Sequence, residues 1–208
     1  MAEKELSPVF AEIKKDYLQQ IIAKWDDIDL EALGLTREQD GISVPFFHLK
    51  CTVSKQGITG EGAHILGHMV NVIVSNYLLA EPGPPAGGKG WVSYKDFADA
   101  APYWGGYNNV VERKIATDYS GRLEELKAKC LALGGREPEQ SFSYDLALEF
   151  QALPKIALLL LFNDAEDMFP AQCSVLLQDN ASGFFDMECL AMLGISLSTF
   201  LTGKGEQG

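Results

Sequence analysis

The sequence predicts an α+β fold, and three observations carry that reading. Helical apolar spacing opens the chain, period-2 and continuous apolar segments fill its last third, and glycine- and proline-rich breaks separate the two. The expected arrangement is N-terminal helices and a β-hairpin, a central buried helix, then a mostly antiparallel sheet with a long helix and a C-terminal helix packed on it. A chain of 208 residues fits a single domain over 1–208. The proline- and glycine-filled stretch EPGPPAGGKG, residues 81–90, marks the one place where it could divide into two lobes.

The elements follow in order. Ser7-Pro8 reads as a helix start, with Phe10, Ile13, Tyr17, Ile21 and Trp25 recurring at helical spacing behind it. DLEALG predicts a short helix capped by Asp29 and closed by Gly34. SVPFFHLKCTVSKQGITGEG reads as two strands around an SKQG turn. Residues 62–80 are apolar over most of a helical circumference, which predicts a central helix. The aromatic-rich stretch WVSYKDFADAAPYWGGYNN reads as irregular, with one short helix from Ser93. Asn108 or Asn109 then caps a long helix over 109–133, which Gly134-Gly135 ends. SYDLALEFQALP alternates like a half-buried strand, KIALLLLF is a continuous apolar strand, and CSVLLQD is a third. DMECLAMLGISLSTFLTG closes the chain as a helix capped by Asp186.

Composition narrows the function classes. Apolar residues make up 47% of the chain, enough for a core, and the net charge is -12. A field of that sign repels nucleic-acid phosphates and anionic membrane surfaces, and favours basic partners or cationic ligands. The start of the chain carries no apolar stretch behind a basic segment, which predicts no signal peptide, and no apolar run reaches membrane-spanning length. Cys51, Cys130, Cys173 and Cys189 lie far apart, so neither a disulfide framework nor an iron–sulfur or zinc cluster is expected. A reduced, cytoplasmic setting follows.

Three constellations could carry chemistry. In LLLLFNDAEDMFPAQCSVLLQD, Asp164, Glu166 and Asp167 could bind a hard cation or serve as acid and base. The plainer reading is a hairpin tip, because Phe169-Pro170 sets where the next strand begins and the calcium-loop spacing is missing. On residues 62–80, Glu61, His64, His68, Asn71 and Ser75 fall within about 80° on one face. His64 and His68, one turn apart, could share a divalent metal with a carboxylate or His48 as third ligand. The plainer reading is the wetter face of a packed helix. Finally, Trp91, Tyr94, Phe97, Tyr103, Trp104 and Tyr107 surround Gly105-Gly106, a group able to stack a flat ligand, anchor a partner, or pin a loop to the core. Nucleophile elbows, phosphate-binding loops and dinucleotide fingerprints are missing from the sequence.

GWVSYKDFADAAPYW, the Gly134-Gly135 break, LPKIALLLLFNDAEDMFPAQCSVLLQDNAS and FFDMECLAMLG, in that order, resemble domain-of-unknown-function family 3786 over residues 72–202 or so. That family is found largely in anaerobic bacteria and archaea and has no assigned activity, so the resemblance implies a fold rather than a reaction. Some members look fused to an iron–sulfur module in proteins linked to corrinoid or one-carbon metabolism, which implies a setting in anaerobic cofactor metabolism. This chain has no cysteine cluster, and Met168 stands where the family pattern tends to place a glutamate before Phe-Pro. The resulting expectation is a cytoplasmic binding or accessory protein whose surface is the aromatic loop with the acidic turn. A metal-dependent enzyme built on His64 and His68, or an oligomer subunit packed through the helix over 109–133, are the competing readings.

Overall fold

The computed structural model describes residues 8–61, 67–81 and 90–203. Ser7, His64 and most of the loop over 81–90 therefore lie outside the described residues. Helix α1 spans Pro8–Ala23 and α2 spans Leu30–Leu33. As the sequence predicts, the Asp29 side chain caps α2 by accepting from Ala32 N at 3.0 Å, and Gly34 closes it in the left-handed region at φ 68.

Four short antiparallel strands follow as a meander: β1 Thr36–Glu38, β2 Gly41–Phe46, β3 Leu49–Ser54 and β4 Gly57–Gly60. Only the β3–β4 pair around SKQG is evident from the sequence. Pro45 disguises β2, since proline removes a ladder donor. It is tolerated because β1 pairs only with residues 41–43, leaving that edge of β2 open at Pro45. Gly41 is required for another reason: a Cβ there would lie 2.2 Å from the Val53 carbonyl oxygen.

Helix α3 spans His68–Leu79, and its residues from Val70 to Leu78 are mostly buried. Its Tyr77 joins the two halves of the chain. The hydroxyl donates to Leu33 O at 2.7 Å and accepts from Lys155 N at 3.1 Å. A second tie runs from Phe47 N to Ala152 O at 2.9 Å.

The second sheet holds β5 Trp91–Ser93, β6 Leu146–Leu153, β7 Ile156–Asn163 and β8 Gln172–Gln178, in the antiparallel order β5-β8-β7-β6. The β7 run is buried on both faces as far as Phe162, which explains its unbroken apolar sequence. One hydrophobic cluster extends from Ile21 through both sheets to Leu201.

Helices cover this sheet, with boundaries that differ from the sequence expectation. The aromatic stretch forms β5, a 3-10 turn at Tyr94–Asp96 and helix α4, Ala101–Tyr107. Asn108 and Asn109 do not start a helix; they lie in a π-turn, Asn108–Glu112, that continues α4 into α5, Arg113–Tyr119. The expected helix over 109–133 is broken at Gly121, φ 72, before α6, Leu123–Ala132. Helix α7, Met187–Thr202, begins as predicted, with the Asp186 carboxylate accepting from Cys189 N at 2.8 Å.

The π-turn has an evident cause. Strand β5 pairs with β8 only at residues 176–178, so the β8 edge is left without a strand at Val175. Two side chains replace it. Tyr107 donates its hydroxyl to Val175 O at 3.1 Å, and Glu112 Oε1 accepts from Val175 N at 3.1 Å. Residues five apart point about 140° from each other on an α-helix; one wider turn brings both to the same backbone unit. The Tyr107 ring stacks on Tyr94 at 4.3 Å and 10°, and it lies so close to α7 that a Cβ on Gly194 would be 2.5 Å from it. Hydroxyls also tie this region to α7 in both directions: Tyr94 donates to Met187 O at 2.7 Å and Tyr119 to Leu201 O, while Ser198 of α7 donates to Val110 O of the π-turn at 2.9 Å.

Burial raises the pKa of Glu112, with the Val175 N–H bond and Lys95 opposing it. A raised folded-state pKa means that the neutral acid is the better-accommodated form. The contribution of Glu112 to stability is therefore greatest below the usual glutamate value of 4.5 and is lost as pH rises through the folded pKa. Replacing Glu112 with Gln, which keeps an acceptor for Val175 N, should flatten that dependence. In urea titrations the variant should equal or exceed the wild type near neutrality and match it in acid. Gly194→Ala should cost about 1–3 kcal/mol by forcing Tyr107 outward, against a helix-propensity gain of at most ~1 kcal/mol. Tyr107→Phe should cost about 1–3 kcal/mol by leaving Val175 O unpaired; denaturant midpoints check both.

Candidate functional site

A half-open cleft of about 440 Å³ lies at the N-terminal end of α7. Four segments build it: the loop after the Tyr94–Asp96 turn, α4, the 3-10 turn Asp179–Gly183 that follows β8, and residues 185–188 that lead into α7. Phe97, Tyr103, Phe185 and Met187 supply its apolar walls. Asp99, Asp186, Glu188 and Ser182 supply the polar groups.

Local chemistry fixes each wall. Phe97 follows the Tyr94–Asp96 turn, held by a bond from its own N–H to Tyr94 O at 3.4 Å, and Ala100 N donates back to Phe97 O at 3.2 Å. Phe185 is drawn into place by its N–H to Ala181 O at 3.2 Å and is buried. Met187 is pinned through its carbonyl by the Tyr94 hydroxyl. Asp186 spends one oxygen on the α7 cap, a favourable use of a carboxylate at a helix N-terminus. Asp99 and Glu188, both exposed, add two further carboxylates to the same cleft. The negative field is felt by Tyr94, whose hydroxyl is pushed up to about 12, first by burial and then by Tyr103, Asp186 and Glu188. Aromatic walls and carboxylates together suit a cation that also carries an apolar body.

The six rings singled out in the sequence are divided. Tyr94 and Tyr107 are 0% and 2% exposed, so they face the core and cannot contact a bound molecule. Trp104 lies half-buried, 6.3 Å from Tyr107, with Lys95 Nζ 6.0 Å above its ring. Trp91 lies in β5 opposite Gln178. Phe97 and Tyr103 are the two that line the cleft. Asp99, Ser182, Phe185, Met187 and Glu188 belong to no candidate-site motif in the sequence, where Asp186 reads only as a cap. The available signal was three carboxylates close to the predicted start of α7 and in the aromatic stretch; their convergence needs the Tyr94–Met187 bond, which spans 93 residues.

The acidic turn lies elsewhere, before β8 rather than after it. Asp164, Glu166 and Asp167 are exposed or half-exposed at the β7–β8 tip. Asp164 Oδ1 accepts from Gly121 N at 2.6 Å and from Ala165 N at 2.7 Å, while Asp164 N donates to Asp145 Oδ2 at 2.8 Å. Through its carboxylate and its backbone N–H together, Asp164 knits the α5–α6 break, the approach to β6 and the tip into one corner. Glu166 and Phe169 close the tip through mutual backbone bonds of 2.9 and 3.1 Å.

His48 and His68 line neither the cleft nor the β7–β8 tip. His68 opens α3 and stacks on Phe10 at 4.0 Å and 21°, and burial lowers its pKa. His48 meets Phe200 edge-on at 5.0 Å, with its pKa likewise lowered by burial. His64 lies outside the described residues, so the geometry of the His64–His68 pair is not seen. Among the described residues no group of three or more His, Cys, Asp or Glu side chains is placed to hold a metal ion, and no helix is long and apolar enough to cross a membrane. All four cysteines are free and buried, and burial raises the thiol pKa of each.

No curated protein and no solved structure matches the chain. One protein family does, over residues 30–199. The match therefore reaches back through the first sheet, well before the region over 72–202 that carries the resemblance in the sequence. On that coverage the chain belongs to the family described as "Domain of unknown function (DUF3786)".

Proposed function

We propose that the protein is a cytoplasmic binding or accessory protein, one folded unit over its length, that holds a small organic cation in the cleft beside α7. The observation that carries this reading is the cleft's composition: aromatic walls from Phe97, Tyr103 and Phe185 against the carboxylates of Asp99, Asp186 and Glu188. A cation over an aromatic face gains electrostatic attraction, and more when it is partly desolvated. The net charge of -12 adds attraction at longer range. Free, buried thiols accord with a reducing compartment. The anaerobic cofactor setting implied by the family resemblance is consistent with such an accessory role.

Calorimetric titration with benzylamine and with its uncharged analogue benzyl alcohol tests the reading. Benzylamine should bind with an affinity that falls as salt rises, and benzyl alcohol should bind far more weakly. The pair Asp99→Asn and Glu188→Gln should weaken benzylamine by about tenfold, equivalent to ~1.4 kcal/mol, and Tyr103→Ala should do so independently. Asp186 is left unchanged because it caps α7. Equal binding of the two ligands, or no effect of the paired variant, would overturn the reading.

A further inference from the structure

We infer that the β7–β8 tip is a docking knob for a protein face on which an apolar patch is bordered by Lys and Arg. It is separate from the cleft, since it precedes β8 while the cleft follows it. Met168, at the apex of the turn, is 84% exposed, and Phe169, next to it at the neck, is 66% exposed. Neither side chain contributes to the core, and two adjacent, strongly exposed large apolar residues form a patch of the kind that marks an interaction surface.

The tip is also held in shape before any partner arrives. The paired backbone bonds between Glu166 and Phe169 fix its neck, and Asp164 fastens it to Gly121 while Asp145 fastens Asp164. A preformed knob loses little conformational freedom on binding, which concentrates affinity in few residues.

Charge selects the partner. Glu166 and Asp167 directly precede the apolar pair, and Asp145 and Asp164 stand at the base of the tip. The nearby cations are engaged: Arg122 with Glu125 at 2.6 Å, and Arg136 with Glu149 at 2.8 Å. A like-charged second copy of this chain, at -12, is repelled, as is an anionic surface. The complementary face is an apolar patch ringed by basic groups, whose simplest form is a basic amphipathic helix.

The full-length chain is titrated calorimetrically with a short amphipathic helix of leucine and lysine, and with the matching leucine–glutamate helix. The lysine peptide should bind one to one, with affinity that falls as salt rises, and the glutamate peptide should not bind. M168S/F169S keeps every charge and touches no core residue, and should weaken binding by at least about tenfold, as loss of an interface anchor does. E166Q/D167N should weaken it and reduce the salt dependence, while D99N/E188Q in the cleft should leave it unchanged. Undiminished binding by M168S/F169S would overturn the inference. So would equal binding of both peptides, self-association lost in M168S/F169S, or uptake onto phosphatidylcholine vesicles in place of the peptide.

Discussion

The backbone unit of Val175 is where the helical layer and the second sheet are locked together. A strand that ends in a sheet edge exposes donors and acceptors that must be satisfied if the edge is buried. Here the edge is closed by a phenol and a carboxyl from one helical segment, Tyr107 and Glu112, rather than by another strand. Three other features are subordinate to that closure. The π-turn brings the two side chains to one place, Gly194 lets the Tyr107 ring pass against α7, and Tyr94 stacks behind it and holds Met187. Since Met187 lines the cleft, the same clasp that seals the sheet also positions one wall of the candidate site.

Much of this architecture is legible in the chain because it is written locally. The unbroken apolar run of β7, the caps at Asp29 and Asp186, and the left-handed terminators Gly34 and Gly134 each depend on neighbours within a few residues. What escapes the sequence depends on distant partners. Pro45 argues against a strand until it is known that β1 stops short of it. The break at Gly121 gains a reason only when Asp164, 43 residues away, accepts its N–H. Tyr94 and Tyr107 look like candidate ligand contacts in sequence, yet their hydroxyls reach carbonyls 93 and 68 residues off and take the rings into the core.

Site chemistry is less legible than fold for the same reason. The acidic tip is conspicuous as a string of letters, whereas the cleft draws its carboxylates from two segments, Asp99 from one and Asp186 and Glu188 from the other. Among the tyrosines of the aromatic stretch, Tyr94 and Tyr107 are buried with their hydroxyls on distant carbonyls, while Tyr103 stays exposed to solvent. Tyr103 reaches the cleft together with Phe97.

The π-turn sets the phase of everything downstream of it. One residue more per turn rotates the following helix by about 100° relative to a continuous α-helix. That rotation is what presents Ile115 and Tyr119 to the interior and Arg113 and Asp118 to the outside. The five residues from Asn108 to Glu112 thus act as a frame marker. Loss of any one of them would leave a chemically unremarkable helix whose apolar stripe points the wrong way, so the length of this segment is as much a part of its specification as its side chains.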